Sequence, residues 1–320
     1  MQIVMLFIHQ SRERFKMKLT KLVQDYFYSY DFNDLRDESA KQYNYYARQF
    51  IDTTVSGIKF SDIKVSDLTT RLAKEAYNLW CDKGVTTANH TMAVARIIFN
   101  HGVRMEICNV NPFSAVRRRT VQPRKVVWSR EYVRQFLDTA YSDYNSRNIG
   151  LIAHMAYEWC QRLGDMRMLK FSNIDFEERV VHIEQSKRRA DVHLPIEDDL
   201  YDMLVQQNDE FGFQQYVAPR PKPIRGEYVP YTIYKLPLHA RVIMDNAGLP
   251  PELRLSDLRR TGTTEMVEAG VGMAQIMSVT GHANPQSVKP YMKNTLASAN
   301  YALTERKNHD KSISTAKQRK

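Results

Sequence analysis

The chain has 320 residues, 43% hydrophobic and 26% charged, which excludes a disordered protein and favours two cores over one. Its 46 Lys and Arg against 36 Asp and Glu leave a net charge of +10. That excess suits a polyanionic partner, because each neutralised phosphate releases counterions; the plainer reading is a basic protein kept soluble by its charge.

The opening apolar run, Met1 to Ile8, is followed rather than preceded by Arg12, Arg14, Lys16 and Lys18. That order is wrong for a secretory signal. Residues 1–18 read as an N-terminal extension, with Met17 as a second start. No other run approaches the roughly 20 apolar residues of a membrane span. Cys81, Cys108 and Cys160 are far apart and form no Cys-x-x-Cys pair, which argues against disulfides and zinc and for a reducing cytoplasm.

Residues 19–116 read as a small all-helical domain. Leu19, Leu22, Val23, Tyr26 and Phe27 recur at helical spacing, as do Tyr43, Tyr46, Ala47, Phe50 and Ile51. A third helix is expected after Ser66 as N-cap, with Leu68, Leu72, Ala76 and Leu79 on its buried face and a stop at Gly84. A fourth carries Met92, Val94, Ile97 and Ile98 and ends near Gly102. Lys41, Tyr43, Tyr45 and Arg48 suit either a DNA backbone or an ordinary mix of core and solvated face. Asn111-Pro112 ends the helical run, since proline disfavours helical geometry in the residue before it.

Residues 117–127 form a basic linker holding Arg117, Arg118, Arg119, Arg124 and Lys125 around Pro123. It contains no acid, which favours phosphate contacts over a merely solvated connection. Residues 128–291 form the second domain. Ser129 is a predicted N-cap for a helix with Val133, Phe136, Leu137 and Ala140 inside, and a very apolar helix follows from Ile149 to Trp159. The period then changes: Val181 and Ile183 alternate as one strand, and Val192, His193 and Leu194 as its antiparallel mate. Lys187, Arg188 and Arg189 crowd the turn between them. Leu200, Met203 and Leu204 are helical, Pro219 to Pro223 is a surface loop, and Ile233, Leu236, Leu238, Val242 and Ile243 rebuild an apolar face. Residues 292–320 are a polar, basic tail. The fold class expected is mainly α with a small antiparallel β-sheet, in two domains.

Two stretches carry chemistry. Gln161-Arg162-Leu163-Gly164-Asp165 is followed by Leu169 and by Phe171-Ser172-Asn173-Ile174-Asp175. Leu255-Ser256-Asp257-Leu258-Arg259 is followed by Thr280-Gly281-His282 and then by Tyr291. These resemble the two boxes of the tyrosine recombinases, the phage-integrase family. The resemblance implies a helical core-DNA-binding domain (19–116) joined to a tyrosine-recombinase catalytic domain (128–291). Arg162 and Arg259 match the catalytic arginines, His282 the histidine, Tyr291 the nucleophile and Asp165 the acidic residue of the first box. Lys187 matches the hairpin lysine, although its neighbours Arg188 and Arg189 leave that assignment to alignment; both are taken as DNA contacts. Ser256 stands where the family usually has histidine, and a serine is a poor base near neutral pH.

The resemblance further implies cutting and rejoining of double-stranded DNA through a 3′-phosphotyrosine, without metal or other cofactor. It implies a homo-tetramer on paired sites, helped by accessory DNA-bending proteins of host or phage, and a cytoplasmic setting with no membrane. Phage or mobile-element integration is the leading expectation. A chromosome-dimer resolvase, a type IB topoisomerase-like enzyme and a DNA-binding protein that has lost catalysis are the alternatives.

Overall fold

The computed structural model describes residues 17–187, 189–291, 299–300 and 302–307. It is mainly helical with small antiparallel sheets and divides into two units, Met1–Pro123 and Arg124–Lys320. Of the expected features, most of the N-terminal extension, Arg188 and most of the tail lie outside the described residues. No helix among those described is long and apolar enough to cross a membrane.

The first unit holds α1 (Leu19–Phe27), α2 (Tyr30–Asn33), α3 (Asp37–Ile51), the hairpin β1 (Thr54–Val55) and β2 (Ile58–Lys59), α4 (Thr70–Lys83) and α5 (Val85–Arg104). The hairpin turn puts Ser56 and Gly57 both at positive φ, the geometry a two-residue turn demands. Strands this short carry no alternation, which is why the unit reads as all-helical from sequence. Phe50 is fully buried among Phe60, Trp80, Phe99 and Phe113, with ring centroids 5.7 to 6.3 Å away. Burying one such ring stabilises by about 2–3 kcal/mol. Phe113, expected only to follow a helix break, is thus a core residue.

Two expectations are corrected here. Thr69, not Ser66, caps α4 by accepting from Leu72 N; Ser66 sits in a preceding 3-10 turn, Val65–Asp67. The buried face of α4 is Ala73, Ala76, Tyr77, Trp80 and Cys81, leaving Leu79 43% exposed. The large rings of Tyr77 and Trp80 take the core and rotate the helix away from the aliphatic pattern.

The second unit is built around α7 (Tyr144–Glu158), buried without interruption from Arg147 to Ala156, as a helix enclosed on all sides must be. Around it lie α6 (Arg130–Tyr141), α8 (Leu163–Met166), α9 (Asp198–Phe211), α10 (Lys235–Asn246), α11 (Leu258–Glu268) and α12 (Met273–Thr280). Ser129 caps α6 as expected, accepting from Tyr132 N. Gly262 brings α11 hard against the end of α7, where an added Cβ would stand 2.6 Å from Cys160 Sγ and from Tyr157 O. The sheet runs β3 (Ile174–Asp175), β4 (Val180–Glu184), β5 (Asp191–Pro195), all antiparallel, with Val181 opposite Leu194 and Ile183 opposite Val192 on the inner face. On α10 the apolar pattern misleads: Leu236 and Ile243 are buried, but Leu238 and Val242 face solvent.

His154 of α7 is buried against the Tyr141 hydroxyl, 2.9 Å from its Nδ1. Burial holds its pKa down to about 4, with Asp199 pulling weakly the other way. A base depressed in the folded state stabilises the fold fully above its ordinary 6.5 and loses that stability as pH falls toward 4. At about 1.4 kcal/mol per pKa unit the loss is roughly 3 kcal/mol. Glu158 lies 3.9 Å from Nε2 and its carboxyl is raised by burial, so its own protonation opposes part of this. Urea denaturation at pH 7 and pH 4.5 should show wild type losing stability, and His154→Asn should flatten the slope; equal slopes would contradict the assignment.

Candidate active site

The residues of the two boxes meet in the second unit. The chain leaves α7 through Cys160, held at φ +50 although it is not glycine, and Arg162 follows as the residue that opens α8. Left-handed backbone at a non-glycine residue is the kind of local strain that a site can hold in place. Arg162 Nη1 donates to Gln185 Oε1 at 2.8 Å and lies 3.7 Å from Asp165 Oδ2. Asp165 Oδ1 in turn accepts from Ser186 N at 3.2 Å, so this carboxylate braces both Arg162 and the β4–β5 turn.

Arg259 sits in the first turn of α11, preceded by a 3-10 turn at Leu255–Asp257 that presents Ser256 to solvent. Arg259 Nη2 donates to Thr280 O at 2.8 Å and stands 3.2 Å from His282 Nε2. Burial, then the neighbouring Arg162 guanidinium, lowers the Arg259 pKa to about 10. A buried guanidinium facing a second one is a site suited to an anion. Arg259 Nη1 is buried with no hydrogen-bond partner, an orphan donor of the sort a bound group satisfies.

Arg162, Arg259 and Ser256 line one cavity of about 310 Å³, with Gln161, Leu236 and Leu255 among its other walls. Ser256 caps no helix: Arg254 and Asp257 occupy the cap positions on either side.

His282 follows Gly281, whose φ of +65 ends α12 in a left-handed cap. The Thr280 hydroxyl commits its proton to Ile276 O, 2.7 Å away, so His282 Nδ1, at 2.6 Å, is the donor of that pair. The imidazole then turns the lone pair of Nε2 toward Arg259. Tyr291 ends a 3-10 turn, Lys289–Tyr291, its ring 6.2 Å from the His282 ring and capped by Arg260, whose Cζ lies 4.9 Å from the ring centroid. Arg162, Asp165, Ser256, Arg259, His282 and Tyr291 are therefore gathered in one region by direct contact or shared walls. Lys187 and Arg189 stand exposed on the turn beyond Gln185, and Arg188 lies outside the described residues.

Sequence reasoning missed Gln185, Gln161, Thr280 and Arg260. Gln185, Gln161 and Thr280 are fully buried polar residues. The available signal was position, since each lies within two residues of a matched one. The linker cations divide. Arg117, Arg118 and Lys125 are exposed. Arg119 donates its main-chain N–H to Tyr77 Oη. Arg124, expected on phosphate, instead gives its fork to Asp257, at 2.8 and 2.7 Å, in the turn that carries Ser256. Among the described residues, no group of three or more His, Cys, Asp and Glu is placed to hold a metal ion.

Gly281 faces two constraints at once. An alanine would have to adopt left-handed backbone, and its Cβ would lie 2.5 Å from Gln185 Nε2. Gly281→Ala should lower stability by roughly 1–2 kcal/mol and displace Gln185. Urea denaturation checks the first effect, and an unchanged midpoint would contradict it.

A helical scaffold with a small hairpin sheet, two arginines on one cavity wall, a histidine against the second of them and a tyrosine beside that histidine define a catalytic domain of the tyrosine-recombinase class. The model of the Phage integrase family matches residues 128–297, more than half of the chain, and the chain belongs to that family. A shufflon-specific DNA recombinase of Escherichia coli is 21% identical over 244 residues, covering 75% of this chain; the chain spans 57% of that relative's length. Among solved structures, a lambda integrase dimer bound to a COC′ core site aligns with a TM-score of 0.74 at 15% identity, over 90% of this chain and 81% of that one. The Tn1549 transposon integrase in complex with a circular intermediate DNA aligns with a TM-score of 0.73 at 14% identity, over 90% of this chain and 99% of that one. A lambda integrase tetramer bound to a Holliday junction gives 0.73 at 15% identity, over 89% and 80%.

Proposed function

We propose that this protein is a site-specific DNA recombinase of a phage or mobile element, cutting and rejoining double-stranded DNA through a 3′-phosphotyrosine. The observation that carries the reading is the cavity shared by Arg162 and Arg259, with an unpartnered guanidinium nitrogen on Arg259 and with His282 and Tyr291 beside it. A phosphodiester is the anion whose non-bridging oxygens fit two planar donor forks.

In this reaction the Tyr291 oxygen bonds to phosphorus and the bond from phosphorus to the 5′-oxygen breaks. The phenolic proton passes to a phosphate oxygen or to His282, and Lys187 supplies one to the departing 5′-oxygen as general acid. Arg162 and Arg259 hold the non-bridging oxygens as charge gathers on them, with His282 completing the group. The new ester keeps the energy of the old one, so rejoining is the same step reversed by another 5′-hydroxyl and needs no nucleotide. Asp165 braces Arg162 and the Lys187 turn.

Residues 19–116 serve as the core-DNA-binding domain and 117–127 as the linker, with Arg117, Arg118, Arg119, Lys125, Arg188 and Arg189 on phosphates. The lambda integrase tetramer on a Holliday junction supports a tetramer on paired sites. Accessory DNA-bending proteins and a cytoplasmic setting complete the reading. Sequencing the junctions formed at the protein's own locus identifies the DNA site. A nicked suicide duplex of that sequence should then trap the wild-type chain covalently. Binding without attachment would instead favour the DNA-binding protein that Ser256, in place of histidine, makes the second reading.

A further inference from the structure

Gln185 is the last residue before the turn that carries Lys187, and nothing in the roles above uses it. It is fully buried, and its amide touches three parts of the site. Oε1 accepts from Arg162 Nη1 at 2.8 Å, while Nε2 donates to Gln161 Oε1 at 2.6 Å and to Thr280 O at 2.8 Å. Thr280 O is also the carbonyl that takes Arg259 Nη2. One amide therefore links the partner of each arginine.

Its orientation is forced by a chain of single choices. Gln161 Nε2 is committed to two backbone carbonyls, Trp159 O at 2.8 Å and Val279 O at 2.7 Å, so Gln161 must turn its oxygen to Gln185. Gln185 must then turn its nitrogen to Gln161 and Thr280, and its oxygen is left for Arg162. The rival for Arg162 is close by. Asp165 Oδ2 is buried without a hydrogen-bond partner and stands 3.7 Å from the same Nη1.

We infer that Gln185 is a positioning residue: its amide draws Arg162 away from Asp165 and locks it to the Thr280 carbonyl that also holds Arg259, fixing the separation of the two guanidiniums. It touches neither DNA nor the reacting atoms. The inference rests on the recombinase reading, because the separation matters only if both arginines hold one phosphate. Without Gln185, Nη1 closes on Asp165 and the pair loses its spacing; misplacement on the order of 1 Å costs roughly a hundredfold in rate.

The test measures single-turnover covalent attachment to a nicked suicide duplex, and DNA affinity, for wild type, Gln185→Met and Gln185→Glu. Methionine keeps the length and removes both polar ends. Glutamate keeps an acceptor for Arg162 but turns an acceptor on Gln161 and Thr280, so it separates the two ends should methionine disturb folding. Both variants should bind DNA within about threefold of wild type and attach roughly ten- to a hundredfold more slowly.

A duplex carrying sulfur for the 5′-bridging oxygen distinguishes the arginines from the general acid, since a thiolate leaves without a proton. The Gln185 defect should persist on this duplex, whereas Lys187→Ala should recover. Either Gln185 variant attaching at the wild-type rate, or recovering on the sulfur duplex, overturns the inference. A wild type that binds but never attaches overturns the recombinase reading, and this inference with it.

Discussion

Arg259→Lys is expected to slow strand cleavage by roughly two to three orders of magnitude while leaving DNA affinity within about tenfold. The charge is conserved, so the loss comes from geometry. Arg259 uses Nη2 for Thr280 O and for the edge of His282, and leaves Nη1 buried without a hydrogen-bond partner. A lysine ammonium is a point donor and cannot reach both sides. The substitution also exposes a pH effect with a definite sign. Burial and Arg162 together bring even the arginine down to about 10, which leaves it cationic through the neutral range. The same causes act on a lysine that starts from about 10.4, and a depressed base loses its charge as pH rises through its folded pKa. Residual cleavage by Arg259→Lys should therefore fall between pH 7 and pH 9. A variant with wild-type rate across that range would show that Arg259 does not hold the phosphate.

Tyr291→Phe is expected to abolish covalent attachment altogether while DNA binding and stability persist. The ring that Arg260 covers at 4.9 Å is retained, so the contact that seats residue 291 survives and only the oxygen goes. Among the described residues, the nearby Thr280 hydroxyl spends its oxygen between Ile276 and His282. Ser256 places a hydroxyl on the cavity wall, and attachment surviving in Tyr291→Phe would point to it. The measurement is a gel assay for protein–DNA adducts, run alongside an affinity titration.

What the sequence disclosed, and what it hid, follows from the kind of interaction involved. Helical periodicity found α1, α3, α5, α6 and α7, because each buries one apolar stripe or, for α7, all its faces. Alternation found the β4–β5 hairpin. The two boxes were visible because Arg162, Arg259, His282 and Tyr291 stand in short runs of recognisable spacing. Periodicity failed where bulk outweighed pattern, as on α4, where Tyr77 and Trp80 displaced Leu79 from the core. It failed also on α10, where Leu238 and Val242 look inward on paper and outward in the fold.

The support of the site was hidden for a different reason. Gln185 reaches Arg162 across 23 positions and Thr280 across 95, and Arg124 reaches Asp257 across 133. Buried hydrogen bonds of this kind leave no repeat in the chain, and a polar residue that is fully buried looks like a surface residue until the fold encloses it. Arg124 shows the converse: a cation in a basic linker reads as a phosphate contact, yet a buried carboxylate claims it.

The central claim is that the Tyr291 phenol becomes bonded to a phosphorus held by Arg162 and Arg259. The most direct measurement is peptide mapping of the adduct trapped on the suicide duplex, with the chemistry of both DNA ends determined. The account predicts a single DNA-bearing peptide containing Tyr291, joined through a 3′-phosphate, and a free 5′-hydroxyl on the departing strand. Attachment at any other residue, or through a 5′-phosphate, would contradict it.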